Sequence, residues 1–303
     1  MALKQTKEKI QAVQKTHKVT HAMEAVSAVK MRKSQERALE ARPYAHHAYA
    51  ILKRVLESNI ELNHPLMNTH TSGKMLLVVV TSDKGLAGSL NTAVLKEVDA
   101  IVSNTDIEIE MIAIGKKAVE YAGRKGISVV QSIENISDNV SVSDMRALSD
   151  LVARLYTEKS IKECKMVYTH FISTLRSDVQ HREILPVNVP ALEKSVKWAT
   201  PKEGKYAEVG EEKSGNGVQE YIFEPNAEAV LDALVPHLLN IELYHALLEA
   251  KASEHSARMI AMKNATDRAE EVGKELEITY NKQRQAAITG ELIDIVGGAA
   301  ASS

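Results

Sequence analysis

LDALVPHLLNIELYHALLEAKASEHSARMIAMKNATDRAEEVGKELEITY, residues 231–280, is the stretch whose reading decides the fold. Leu234, Leu238, Ile241, His245, Leu248, Ala252, His255, Met259, Met262, Thr266, Ala269, Gly273, Leu276 and Tyr280 recur at alternating steps of four and three. That is the period of a coiled-coil seam. The helical region is expected to open at Asn226, to kink or restart at Pro236, and to end at Gly290 or at Gly297-Gly298. The unbroken run is then roughly 55 to 60 residues, about 80 to 90 Å at the α-helical rise of ~1.5 Å per residue. No domain of ordinary size wraps such a helix, so the expectation is an arm or shaft.

The seam begins with Leu and Ile and continues with Ala, Met, Thr and Gly, which let a partner helix approach closely. Beyond Gln285 come Ala286, Ala287, Ile288, Thr289, Leu292, Ile293, Ile295 and Val296, with Glu291 and Asp294 the only charges. An apolar tip of this kind asks for an apolar sleeve in another protein.

A second long helix is expected at the other end of the chain, over residues 3–58, interrupted only by Pro43. Its early stripe reads Leu3, Ile10 and Val13, and its middle stripe Val19, Ala22, Met23, Val26 and Val29. Two thin, seam-patterned helices at opposite ends of one chain pair most simply as an antiparallel coiled coil. The remainder is then an insertion between them.

The insertion reads as a doubly wound α/β domain. Met75-Leu76-Leu77-Val78-Val79-Val80-Thr81 is an apolar, β-branched run suited to a buried parallel strand. Strands at 107–114, 127–130 and 165–172 alternate with helices at 90–102, 116–124 and 142–159, and 182–189 is a candidate further strand. The domain reading is residues 1–58 as the first shaft helix, 74–190 as the inserted α/β domain, 191–220 as a polar surface excursion, and 226–297 as the second shaft helix.

Composition narrows the function. The chain has 303 residues, a formal charge of −2 and 4 % aromatics, which offers no general polyanion-binding surface. Charge is uneven, however: residues 1–42 hold ten Lys and Arg against four Glu, a net of +6. The row Lys30, Arg32, Lys33 and Arg37 lacks the aromatic platforms of a nucleic-acid surface, so an acidic protein partner is the functional reading. The lone Cys164 excludes an internal disulfide, the first residues lack the apolar core of a signal peptide, and no segment has the ~20 apolar residues of a membrane span. An intracellular protein is expected, touching the membrane only through partners.

Chemistry-bearing motifs are few. Ser82-Asp83-Lys84-Gly85-Leu86-Ala87-Gly88-Ser89 stands where a phosphate loop would, but neither phosphate-binding glycine spacing is present. A tight strand-to-helix turn explains its glycines better. His17 and His21 stand one turn apart without a further ligand pair, His46 and His47 cannot share a face, and His245 and His255 lie on the seam. No nucleophile, base and orienting acid form a set; Asp83 is the one carboxylate worth testing in an enzyme reading. No cofactor or metal is expected.

Three blocks then carry a resemblance. Val19-Thr20-His21-Ala22-Met23-Glu24-Ala25-Val26 with Lys30-Met31-Arg32-Lys33-Ser34-Gln35, Thr81-Ser82-Asp83-Lys84-Gly85-Leu86-Ala87-Gly88-Ser89-Leu90-Asn91, and the run from Glu254 through Asn264 to Leu292 resemble the gamma subunit family of the F-type rotary ATP synthase. His21, Ala25, Ser89 and Arg268 depart from the family's usual residues. The resemblance implies a non-catalytic rotor shaft within a ring of three alpha and three beta subunits. Its foot would lie on the epsilon subunit and the membrane ring of c subunits, at the cytoplasmic face of a bacterial inner membrane. It also implies that Arg284, Gln285, Thr289 and Glu291 grip the beta subunits near the tip, and that Met23, Lys30, Arg32 and Lys33 face their acidic loops. A scaffold or tether with a coiled-coil arm is the competing class.

Overall fold

The computed structural model describes residues 2–57, 64–158, 160–188 and 223–301; the polar excursion at 191–219 lies outside them. The chain divides into two compact units, one of Met1–Ala28 with Arg258–Ser303 and one of Val29–Ala257. The long helices α1, Ala2–Glu57, and α5, Ala227–Ala301, contribute to both.

In the first unit the two helices run antiparallel. Thr6 Oγ1 donates to Gln283 Oε1 at 2.9 Å, Val13 Cγ1 lies where a Cβ on Gly273 would make a 3.8 Å contact, and the Thr266 hydroxyl meets that of Thr20 at 2.7 Å. On α5 the expected seam holds: Met262 and Thr266 are buried, and Met259, Ala269, Gly273, Leu276 and Tyr280 are half-buried.

On α1 the middle stripe is corrected. Val19, Val26 and Val29 are more than half exposed. The buried edge instead carries Thr6, Thr20, Ser27 and Ser34, with Val13 half-buried among them, at steps of seven. Small hydroxyl residues fit this edge because their O–H groups fold back onto their own helix. Thr20 donates to Thr16 O and Ser27 to Met23 O, leaving no orphan polar group while the backbones stay close. Apolarity alone misplaced the stripe.

The second unit is built on a five-stranded sheet of order β3-β2-β1-β4-β5. Its strands are β1, Lys74–Val80; β2, Ile109–Ile114; β3, Ser128–Ile133; β4, Ile161–Ser173; and β5, Arg176–Leu185. The first four pair in parallel, and β5 returns antiparallel to β4 through a tight hairpin. The last strand therefore starts six residues before the expected 182.

Alternation along β1 sorts the two faces. Met75, Leu77 and Val79 point to one core with α2, Leu90–Ser103, and α3, Lys116–Lys125. Leu76, Val78 and Val80 point to the other, shared with α4, Arg146–Thr157, the end of α1 at Leu52 and Val55, and the first part of α5. Both faces are covered, as the continuous apolar run required.

Within this unit α5 is buried nearly all round: Leu231, Val235, Leu238, Leu239, Leu243, Leu247 and Leu248 are almost fully buried. Each such side chain stabilises the fold by ~1.5–3 kcal/mol relative to exposure. A buried hydrogen bond, between His170 Nδ1 and Glu249 Oε2 at 2.7 Å, fixes α5 against β4. Asn226 caps the helix by accepting from Ala229 N at 2.7 Å. The helix runs through Pro236 without ending and continues past Gly290 and Gly297 to Ala301, longer than the breakers suggested.

Gly115 separates β2 from α3 at φ +91°, and a Cβ there would fall 2.2 Å from Thr81 O. We expect Gly115→Ala to destabilise the chain by ~3 kcal/mol or more, since backbone cannot yield. Gly126→Ala, also at positive φ but facing open space, should cost only about 1 kcal/mol. Denaturant midpoints of the two variants check the order.

Candidate partner-contact surfaces

The turn after β1 is the first place to look for chemistry, because ligands of doubly wound sheets bind at the carboxyl ends of strands where the order reverses. Here that point lies between β1 and β4. Thr81, Ser82, Asp83, Gly115 and Thr169 line it, and α5 lays Leu247, Ala250, Lys251 and Glu254 across it. Two backbone donors at this point are already engaged: Ser82 N donates to Asn91 Oδ1 at 3.0 Å, and Lys116 N, opening α3, donates to Asp83 Oδ1 at 3.1 Å. Asp83 is thus a helix cap. Among the described residues there is no group of three or more His, Cys, Asp or Glu placed to hold a metal ion. His17 and His21 stack with ring centroids 6.3 Å apart.

The residues expected to contact partners fall into two sets, one in each unit. In the first unit, Arg284, Gln285, Thr289 and Glu291 are all exposed along one stretch of α5, beside Ile288, Leu292, Ile293, Ile295 and Val296, each at least half exposed. Met23 is half-buried on α1. The second set, Lys30, Arg32 and Lys33, is exposed on α1 in the other unit, where Met31, Ser34 and Ala38 turn inward. Arg32 and Lys33 project from the opposite side of those buried positions. Lys30 has a partner of its own, with Nζ 2.8 Å from Asp138 Oδ2.

Asp138 is the residue the sequence did not disclose. Its carboxylate also receives His255 Nε2 at 2.9 Å, with Lys251 Nζ 4.0 Å away. Arg37 donates to Asp138 O and to Asn139 Oδ1, both at 2.6 Å, and Lys251 donates to Ile136 O at 3.1 Å. Partial burial pushes the Asp138 carboxyl upward, but hydrogen bonds from Lys30 and His255 outweigh it and hold the pKa at about 2. His255, expected as a seam or core histidine, is indeed buried and serves as one of these donors.

Two other exposed features escaped the sequence reading. Leu86 adopts φ +63° in the turn after β1 with its side chain out, and Leu175 stands fully out at the β4–β5 hairpin. The first lies in a glycine-rich turn, where the sequence offered Gly85 and Gly88 as the positions for such a φ. The second would have been found only by recognising the hairpin.

A family model described as ATP synthase matches residues 2–301 of this chain. The central stalk of the Tetrahymena thermophila mitochondrial ATP synthase, solved with its c-ring, is 25 % identical, with a TM-score of 0.57 over 82 % of this chain and 99 % of that one. A chain of the Euglena gracilis mitochondrial enzyme, 19 % identical, shares the fold at a TM-score of 0.64 over 99 % of this chain and 94 % of its own. Among sequence relatives, the ATP synthase gamma chain of Ralstonia nicotianae is 38 % identical across 98 % of both chains. That of Heliobacterium modesticaldum is 33 % identical across 99 % of this chain and 98 % of its own. The chain belongs to the ATP synthase gamma chain family.

The depressed Asp138 pKa has a consequence for stability. In the unfolded chain this carboxyl titrates near ~3.9. Its contribution is therefore complete above about pH 4 and is lost as the pH falls towards 2. Asp138→Asn should lower the stability plateau above about pH 4 and flatten the acid limb over that window, with the two profiles converging towards pH 2.

Proposed function

We propose that this chain is the central rotor shaft of a bacterial F-type ATP synthase, linking ion-driven rotation in the membrane to ATP synthesis and hydrolysis in a ring of three alpha and three beta subunits. The observation that carries the reading is full-length similarity to gamma chains, joined to an antiparallel helix pair that leaves an apolar end exposed. The chain does no bond chemistry; the catalytic sites belong to the beta subunits. Residues 1–58 and 226–297 act as the shaft and residues 74–190 as the foot, which meets the epsilon subunit and the ring of c subunits.

Coupling follows from symmetry. A single asymmetric shaft cannot touch three equivalent beta subunits alike, so each site is held in a different state. Turning the shaft exchanges the states through differential contacts. Arg284, Gln285, Thr289 and Glu291 grip the ring near the apolar tip, where Ile288, Leu292, Ile295 and Val296 bear on an apolar sleeve. Arg32 and Lys33, with Lys30 and Met23, meet acidic loops lower down, where charge complementarity governs fit.

Among the described residues no helix is long and apolar enough to cross a membrane. Attachment at the cytoplasmic face of the membrane runs through the c subunits, as the similarity to gamma chains supports.

Recovery of the chain from its membranes should bring three alpha and three beta subunits per copy, counted by mass spectrometry; recovery alone or with unrelated partners overturns the reading. In the assembled complex, Arg284→Ala should lower proton-driven ATP synthesis while leaving the foot folded. Glycine or a large aromatic residue at Met23 should disturb the ratio of pumping to hydrolysis more than thermal stability. Both are read from inverted vesicles.

A further inference from the structure

We propose that Asp138 is a positioning residue that sets the angular orientation of the basic row on α1, and that Lys30 serves coupling chiefly through Asp138 rather than by its own contact with the ring. The proposal rests on the rotor reading above.

Lys30 and Arg37 are seven residues apart, so they lie within about 20° of each other round the helix. Both are tied to one short loop between β3 and α4: Lys30 to the Asp138 carboxylate at 2.8 Å, Arg37 to Asp138 O and Asn139 Oδ1 at 2.6 Å. Two anchors one heptad apart resist both rolling and sliding of the helix. From α5 the same loop is held by His255 on Asp138 and by Lys251 on Ile136 O, with Glu254 near Lys251 at 3.8 Å. Four cationic or hydrogen-bonding side chains from two helices thus converge on residues 136–139.

Charge-assisted hydrogen bonds of this kind are directional as well as strong. Arg32 and Lys33 stand roughly 160° and 60° round the helix from Lys30, and both are exposed. With Lys30 and Arg37 anchored, the direction in which these two charges project is set. Without the anchor this stretch of α1 is left to the seam at Met31, Ser34 and Ala38, with the next core contacts at Ala48, Leu52 and Val55, and Ser34 and Ala38 are too small to resist a small roll.

The test is a double-mutant cycle in the assembled complex: Lys30→Gln, Asp138→Asn and both together, read as protons pumped per ATP hydrolysed in vesicles. Each single variant should lower the ratio by roughly twofold or more, and the pair should be no worse than the worse single. Lys30→Arg should preserve the wild-type ratio. Multiplying effects in the double variant would overturn the proposal, because Lys30 would then act on something other than Asp138. A second readout is independent of rotation: amide exchange at 136–142 in the complex should rise about tenfold with Asp138→Asn, the loss of a charged hydrogen-bond network, and unchanged exchange overturns the anchor. Raised exchange with no change in pumping for any variant, including Arg32→Ala with Lys33→Ala, would sink the role assigned to the basic row, and with it this inference. The subunit count tests the rotor reading separately.

Discussion

Helix α5 has to satisfy two different burials along one continuous backbone, and the rest of the structure follows from how it does so. Between Leu231 and Ser256 it is surrounded, with side chains on almost every face buried against β4, α4 and the loop at 136–139. From Met262 onward only one narrow edge is covered. The composition changes accordingly, from Leu and Ile on all sides to Met, Thr, Ala and Gly on a single seam. A helix buried all round cannot hide polar groups cheaply, and three that it carries in the first segment are matched: Glu249 with His170, Lys251 with Ile136 O, and Ser253 with Thr169 O.

This arrangement also explains why a sheet of the nucleotide-binding kind need not bind a nucleotide here. At the carboxyl ends of β1 and β4, where such sheets open a crevice, α5 lies across the gap, and side chains of the protein take the donors Ser82 N and Lys116 N. The sheet serves as a platform. Its two covered faces hold one helix pair outside, α2 and α3, and on the other side grip α4 with the inner parts of α1 and α5. Asp138 adds a polar tie between that platform and both long helices, at the level where the basic row of α1 emerges. The apolar contacts provide most of the stabilising energy, whereas the directional bonds fix angle and register.

The exposed residues divide by chemistry in a way that suits a shaft. Apolar side chains stay uncovered at the end of α5, at Ile288, Leu292, Ile293, Ile295 and Val296, and along α1 at Val19, Val26 and Val29. Basic ones stand out at Arg32 and Lys33. Apolar contact has no preferred direction and permits sliding. Charged contact discriminates between partners and positions.

Much of this was legible in the chain itself. The three-four period from Leu234 to Tyr280 determined a long helix with a single seam, because a helix must bury whichever residues repeat at its own pitch. The run Met75-Leu76-Leu77-Val78-Val79-Val80 determined a strand buried on both faces, because nothing in it suits water. What the sequence could not settle was which face of α1 turns inward. Val19, Val26 and Val29 outrank Thr20, Ser27 and Ser34 in hydrophobicity, yet close helix approach selects for small size, and a hydroxyl that bonds its own backbone loses little on burial. Nor could it give Asp138 a role. That carboxylate lies more than a hundred residues from Lys30 and from His255, and only the tertiary fold brings them to 2.8 and 2.9 Å. Periodicity reports burial within one element; the meeting of charges from three elements is decided by packing, which no local pattern records.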